Sequence, residues 1–190
     1  GGTIRFGAGA QGCRERAEEA QAAGCAVVDC RGLAARDVLP DLRGVKGEML
    51  IVKLPDVGLS RPVRVLHPRV PVYVVPRGDG HYMIGATMIE SDQPTRITAR
   101  SMLELLGAAY ALHPAVGEAE IVEIGTGVRP AFPDNLPHVR LIAGRLHVNG
   151  LYRHGFLLAP ALARQAAEQA LAAGQALEVT HEGSRQRQFA

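Results

Sequence analysis

The sequence predicts an α+β fold with a largely antiparallel or mixed sheet and flanking helices. Two observations carry this. Strand-like runs follow one another from residue 48 to residue 89 without helices between them, and three helical stretches lie outside those runs. The length of 190 residues suits one domain, or one and a small remainder. The apolar share of 47% contains no tryptophan, so alanine, valine, leucine and isoleucine must fill the core.

Taken in order, Gly1-Gly2-Thr3-Ile4-Arg5-Phe6 reads as a strand entered part-way, as in a processed or truncated product. Arg14 to Ala23 is rich in helix formers and stops at Gly24, a natural cap. Cys25 to Asp29 reads as a short buried strand, and residues 33–47 as loop with one helical turn, broken by Pro40, Gly44 and Gly47. Strands are expected at Glu48–Leu54, Pro62–Leu66, Val70–Val75 and His81–Ile89. The last two flank Asp79-Gly80, a hairpin signal.

Thr98 to Leu112 carries Met102, Leu105, Leu106, Ala109 and Leu112 at helical spacing, with Thr98 as N-cap and Pro114 as the stop. Glu120–Val128 alternates as a strand, and Arg140–Ala143 with Leu146–Asn149 make a second hairpin across Gly144-Arg145. The last long helix is expected from Ala159 to Ala173, opening with Pro160 and closing at Gly174.

The near-neutral charge of +2 and the scattered arginines argue against nucleic-acid binding. No apolar run approaches the ~18 residues of a membrane span, and no signal peptide is visible. Cys13, Cys25 and Cys30 form an odd set without metal-ligand spacing, which reads as a reduced, cytoplasmic chain with no metal. A serine-hydrolase triad has no support, because Ser60, Ser91 and Ser101 lack a nucleophile-elbow context.

Gly7-Ala8-Gly9-Ala10-Gln11-Gly12 fits the G-x-G-x-x-G pattern, with Asp29 at a suitable distance for a ribose. Thr3–Phe6 is too short and polar for the central parallel strand of such a site, so the stretch reads as a flexible glycine-rich connection. Arg129, at the end of a strand, either grips a carboxylate with its planar fork or is an ordinary surface or ion-paired arginine. The turn Asn149 to Pro160 brackets polar residues with glycines at a helix start, as a ligand site or for geometry alone. His154 reads as solvent-exposed, and Tyr73 and Met88 read by position as core.

Four segments together resemble one family. They are Val72–Arg77 with Ile84–Met88; Gly127-Val128-Arg129-Pro130 with Asp134 and Pro137; Gly150–Pro160; and Cys30–Arg36. In order and spacing they resemble the FAD-dependent D-amino-acid oxidases, and within them the glycine oxidase of thiamine biosynthesis. The resemblance runs from about residue 3 to residue 173. It implies a remnant of the FAD-binding part at 1–46, a substrate-binding sheet at 47–128, a return to the FAD-binding part at 129–175, and a tail at 176–190.

By the same resemblance, Arg129, Tyr73, Met88 and Arg153 bind substrate. Gly32, Gly150, Leu151, Tyr152, Arg153, His154, Gly155, Phe156 and Leu157 lie at the cofactor. The family often has histidine where Leu151 stands, so no side-chain role is carried over there. The family's adenosine-binding βαβ unit has no counterpart in this sequence, so the FAD site is only partly present and the chain alone is expected to be inactive. The implied reaction is oxidation of glycine or another small amino acid to an imine, with dioxygen reduced to hydrogen peroxide. A homo-oligomer is compatible with the sequence. The alternatives are a flavin dehydrogenase using another acceptor, a non-catalytic binding or assembly module, and a nucleotide-binding protein using Gly7–Gly12.

Overall fold

The computed structural model describes residues 7, 9–67, 69–172 and 176–180. Its first half runs α1 (Gly9–Ala22), β1 (Cys25–Asp29), a 3-10 helix (Gly32–Asp37), β2 (Arg43–Lys53), β3 (Val63–Val65), β4 (Val72–Gly78), β5 (His81–Gly85) and β6 (Ile89–Glu90). There follow α2 (Ala99–Leu112), a 3-10 helix (Pro114–Glu118), β7 (Glu120–Ala131), β8 (His138–Ile142), β9 (Arg145–Asn149), α3 (Gly155–Ala172) and β10 (Ala176–Thr180). The class is α+β, as the sequence predicts. The chain forms two units, residues 1–43 with 129–190 and residues 44–128.

The first unit is a mixed sheet in the order β10-β1-β9-β8, with β1 parallel to both neighbours and β8 antiparallel to β9. Strand β1 reads as a continuous apolar run because both of its faces are covered. Ala17 and Ala20 of α1 bury against Val27, while Ala166 and Ala170 of α3 bury against Ala26, Val28 and Leu146. Small alanines let each helix approach the sheet closely, which is how a chain without tryptophan closes this core.

Several expectations are corrected here. Helix α1 begins at Gly9, so the stretch expected as a flexible connection forms its first turn. The helix-breaking cost of glycine, about 1 kcal/mol each, is overridden by the packing of Ala17 and Ala20. Helix α3 begins at Gly155, one turn before Pro160, which lies inside the helix. Ala176–Thr180, expected as tail, forms a strand parallel to β1. The second hairpin turns at Ala143 and Gly144, both at positive φ, one residue earlier than expected. The expected strand at Thr3–Phe6 and the cap at Gly174 lie outside the described residues.

The second unit is an antiparallel sheet in the order β3-β4-β5-β2-β6, with β7 also on β2. Leu50, Val52, Val72, Val74, Tyr82 and Ile84 present one face of it to Leu105 and Ala109 of α2. The Asp79-Gly80 hairpin is present, with both residues at positive φ as its tight turn requires. Thr98 caps α2, its hydroxyl accepting the Ser101 N–H at 3.2 Å. The fully buried positions of α2 are Ser101, Leu105 and Ala109, with Met102 and Leu106 packed beside them, so four of the five expected apolar residues face the core and Leu112 alone of the five is exposed. Pro114 opens a 3-10 helix rather than a plain loop. The expected single strand His81–Ile89 is two strands, interrupted at residues 86–88.

Candidate functional site

In the first unit, the parallel strands β1 and β9 end side by side, with Asp29 opposite His147. The carboxyl ends of parallel strands are where open α/β sheets hold ligands. Asp29 closes the end of β1 as a clasp. Its carboxylate accepts the Arg31 backbone N–H at 3.0 Å and the Arg31 Nε–H at 2.9 Å, and the guanidinium reaches on to Asp37 at 3.1 Å. His147 Nδ1 lies 3.3 Å from Asp29 Oδ2, close but not aligned for a hydrogen bond. Burial alone raises the Asp29 pKa, but His147 and Arg31 outweigh it and hold the carboxyl well below the usual range. Arg31 engages both Asp29 oxygens and the residue is buried, which argues against a ribose contact there.

Two turns leave these strand ends. Gly32 (φ +61) follows β1 and Gly150 (φ +84) follows β9, both in the left-handed region that suits glycine. Asn149 joins them: its side chain donates to Gly32 O at 2.8 Å, and its oxygen accepts the Gly150 N–H at 2.9 Å. A Cβ at Gly32 would stand 3.9 Å from Pro130 Cγ, so the residue after Arg129 packs at the same place. Phe132 closes the group from below. It is 1% exposed, its ring lies under the Arg140 guanidinium at 4.0 Å, and a Cβ on Gly150 would meet it at 2.5 Å. We predict that Gly150→Ala costs about 2–4 kcal/mol, from overpacking and left-handed strain together. Unfolding in urea checks this, and an unchanged midpoint would contradict it.

The turn continues into α3 with polar backbone and exposed apolar side chains. His154 is exposed at φ +54 and its carbonyl accepts the N–H groups of Leu157 and Leu158 at 3.0 Å each, which starts the helix. Phe156 is 101% exposed and Leu157 77%. Arg153 is exposed, and Tyr152 is half-buried with its ring 5.8 Å from Arg43. Arg129 is half-buried near the end of β7, which runs to Ala131 rather than stopping at Val128.

On the α3 face of the sheet lies an apolar cavity of about 250 Å³, lined by Val28, Cys30, Val148, Leu151, Leu162 and Ala166 among others. Burial, with the Asp29 charge, pushes the Cys30 thiol up to about 11, so it is neutral at physiological pH and unsuited to nucleophilic work.

In the second unit, Tyr73 on β4 stands opposite Gly85 on β5, and a Cβ at Gly85 would meet the tyrosine ring and hydroxyl at 3.1–3.2 Å. Met88, which position alone assigns to the core, is 52% exposed. Its segment is held by Glu48, which is fully buried beside an equally buried Lys46 at 2.7 Å. Burial raises the Glu48 pKa, yet hydrogen bonds from Lys46, Ser101 and Thr87 prevail and keep it below the usual range. Lys46 also donates to Thr95 Oγ1 and Arg96 O, at 3.0 Å each.

Sequence reasoning missed the Asn149 side chain as the link between the two turns, Asp29 with Arg31 as a clasp, and the Lys46–Glu48 pair. The signal for the last was present. Opposite charges two residues apart in an apolar strand face the same side. Thus the structure joins Gly32, Gly150 and the neighbour of Arg129 in one unit, and places Tyr73 and Met88 on the other.

The turns at Gly32 and Gly150 in the first unit are compatible with a flat cofactor ring such as that of FAD. A flat apolar ring needs close backbone approach and an apolar wall, and the glycine turns with exposed Phe156 and Leu157 offer both. The family profile described as FAD dependent oxidoreductase (DAO) matches residues 1–169. The chain belongs to this FAD-dependent oxidoreductase family. It is 63% identical over 145 residues to the putative thiamine biosynthesis oxidoreductase ThiO of Rhizobium etli, covering 76% of this chain and 44% of that protein. It is 34% identical over 120 residues to a glycine oxidase of Pseudomonas putida, covering 62% of this chain and 32% of that one. The solved glycine oxidase of Geobacillus kaustophilus superposes with a TM-score of 0.66 at 29% identity, covering 77% of this chain and 41% of that one. The chain therefore spans less than half the length of these relatives. Among the described residues no cluster of His, Cys, Asp or Glu could hold a metal, and no helix is long and apolar enough to cross a membrane.

Proposed function

We propose that this chain supplies the substrate-binding and ring-side parts of an oxidase that converts glycine or another small amino acid to its imine, releasing hydrogen peroxide, in the service of thiamine biosynthesis. The observation that carries the reading is the Asn149 link between the Gly32 and Gly150 turns, with Pro130 packed against Gly32. The likeness to the Pseudomonas putida glycine oxidase supports the substrate class, and the likeness to the Rhizobium ThiO protein supports the thiamine role.

FAD, when bound, would supply the two-electron acceptor for oxidation at the amino acid's α-carbon and the route by which those electrons reach dioxygen as hydrogen peroxide. The chain's own contribution is orientation. Arg129 holds the substrate carboxylate through two parallel hydrogen bonds, with Arg153 as a second cation near it. Tyr73 and Met88 bound the side of a small pocket. Gly32 and the turn from Gly150 through Leu151, Tyr152, Arg153, His154, Gly155 and Phe156 to Leu157 would hold the ring, glycines permitting close approach. The protein's part is orientation more than acid–base work: it would align the α-hydrogen of the bound amino acid for transfer.

The visible spectrum of the purified chain, taken before and after adding FAD, separates a cofactor-binding chain from one needing the remainder of its site. Glycine is then supplied to the whole protein in air. Peroxide formed in step with glycine consumed is expected. A flavin-loaded protein that reduces an electron-accepting dye without making peroxide would favour a dehydrogenase. A whole protein that binds no flavin would favour an assembly module.

A further inference from the structure

The ladder between β2 and its antiparallel neighbours slips at one point. Met49 pairs with Gly85, and Lys46 pairs with Ile89. Between these pairs β2 contributes Gly47 and Glu48, whereas the other side contributes Ala86, Thr87 and Met88. The extra residue makes a bulge, a device that re-aims a side chain and ends regular pairing.

One threonine replaces the lost ladder contacts. Thr87 N–H donates to Glu48 O at 3.1 Å, Thr87 Oγ1 accepts the Glu48 N–H at 2.9 Å, and the same hydroxyl donates to Glu48 Oε2 at 3.1 Å. A hydroxyl can do both, having one donor and two lone pairs. The receiving carboxylate is fully buried and held by Lys46 at 2.7 Å, so it cannot swing away to meet water. The bulge begins one residue after Gly85, against which Tyr73 packs, and ends with Met88 half-exposed.

We propose that the Glu48–Thr87 clamp, backed by Lys46, is a positioning device that pins the bulge and thereby fixes how far Met88 projects, setting how tightly a small amino acid is held. This rests on the amino-acid oxidase reading. Glu48 and Thr87 touch neither substrate nor cofactor in this scheme; they act through Met88.

The test uses Thr87→Val, which keeps the shape and removes the hydroxyl, and Thr87→Ser, which keeps the hydroxyl. The whole protein, loaded with FAD, carries isotopically labelled methionine methyls. The four methionines of this chain give few signals, and Met88→Leu assigns the relevant one. In Thr87→Val the Met88 methyl resonance is expected to move, and KM for glycine to rise about tenfold with kcat held within about twofold. Thr87→Ser restores the wild-type resonance and KM. Should Thr87→Val not fold, Thr87→Cys, a weaker donor and acceptor in the same place, shifts both readings the same way by less.

An unmoved resonance in a folded Thr87→Val protein overturns the clamp. So does a moved resonance with unchanged KM, because the bulge then does not shape the pocket. If the wild type oxidises no small amine, the oxidase reading fails and the pocket role with it. That failure is seen before any variant is compared, and so is distinct from the other two.

Discussion

Lys46→Met destabilises the unit of residues 44–128 by about 3–5 kcal/mol, the cost of leaving a buried charge without its partner. The Lys46 and Glu48 side chains are 4% and 0% exposed, so water cannot take the lysine's place. Methionine matches the lysine stem in length, so little packing is lost and the effect reports the charge. Lys46 also holds Thr95 and the Arg96 carbonyl, so the segment leading into α2 loosens in the same variant. Adding Glu48→Leu to Lys46→Met removes the stranded carboxylate and recovers much of the loss, because a buried ion pair is often no more stabilising than well-packed apolar groups. Urea unfolding of the two variants measures this. A single variant within about 1 kcal/mol of wild type would show the pair to be energetically idle.

Arg129→Leu in the whole protein lowers kcat/KM for glycine roughly 10²- to 10³-fold. Truncating one partner of a buried, hydrogen-bonded charge pair costs about 2–5 kcal/mol, and each 1.4 kcal/mol is tenfold. Capture of the substrate carries most of the loss, so KM rises steeply. Arg129→Lys keeps the charge but loses the planar fork, and recovers only part of the activity. Steady-state peroxide release across glycine concentrations separates these outcomes. An unchanged kcat/KM in Arg129→Leu would remove Arg129 from the site.

Much of this was legible in the residues, for local reasons. Thr98 caps α2 because its hydroxyl reaches an N–H three residues on, and Asp79-Gly80 turns the hairpin because both residues tolerate positive φ. Strand β1 showed itself by an unbroken apolar run. What stayed hidden depends on partners distant in sequence. A bulge leaves no mark on a run such as His81–Ile89, since the slipped register exists only against β2. The glycines of α1 read as a loop because propensity cannot see Ala17 and Ala20 burying on Val27. Asn149 looked like the end of a strand, and its use emerges only when Gly32, some 117 residues away, lies beside it. The turns at Gly32 and Gly150 stand out as a motif in order and spacing, whereas the polar bonds that hold them do not.

The most direct test of the central claim is anaerobic mixing of glycine with the FAD-loaded whole protein while the visible flavin band is followed. The account predicts that the band bleaches at a rate that rises with glycine and then saturates, that Arg129→Leu needs far more glycine to reach the same rate, and that admitting air restores the band with release of hydrogen peroxide. A flavin that stays oxidised with glycine and with every other small amino acid tried would contradict it.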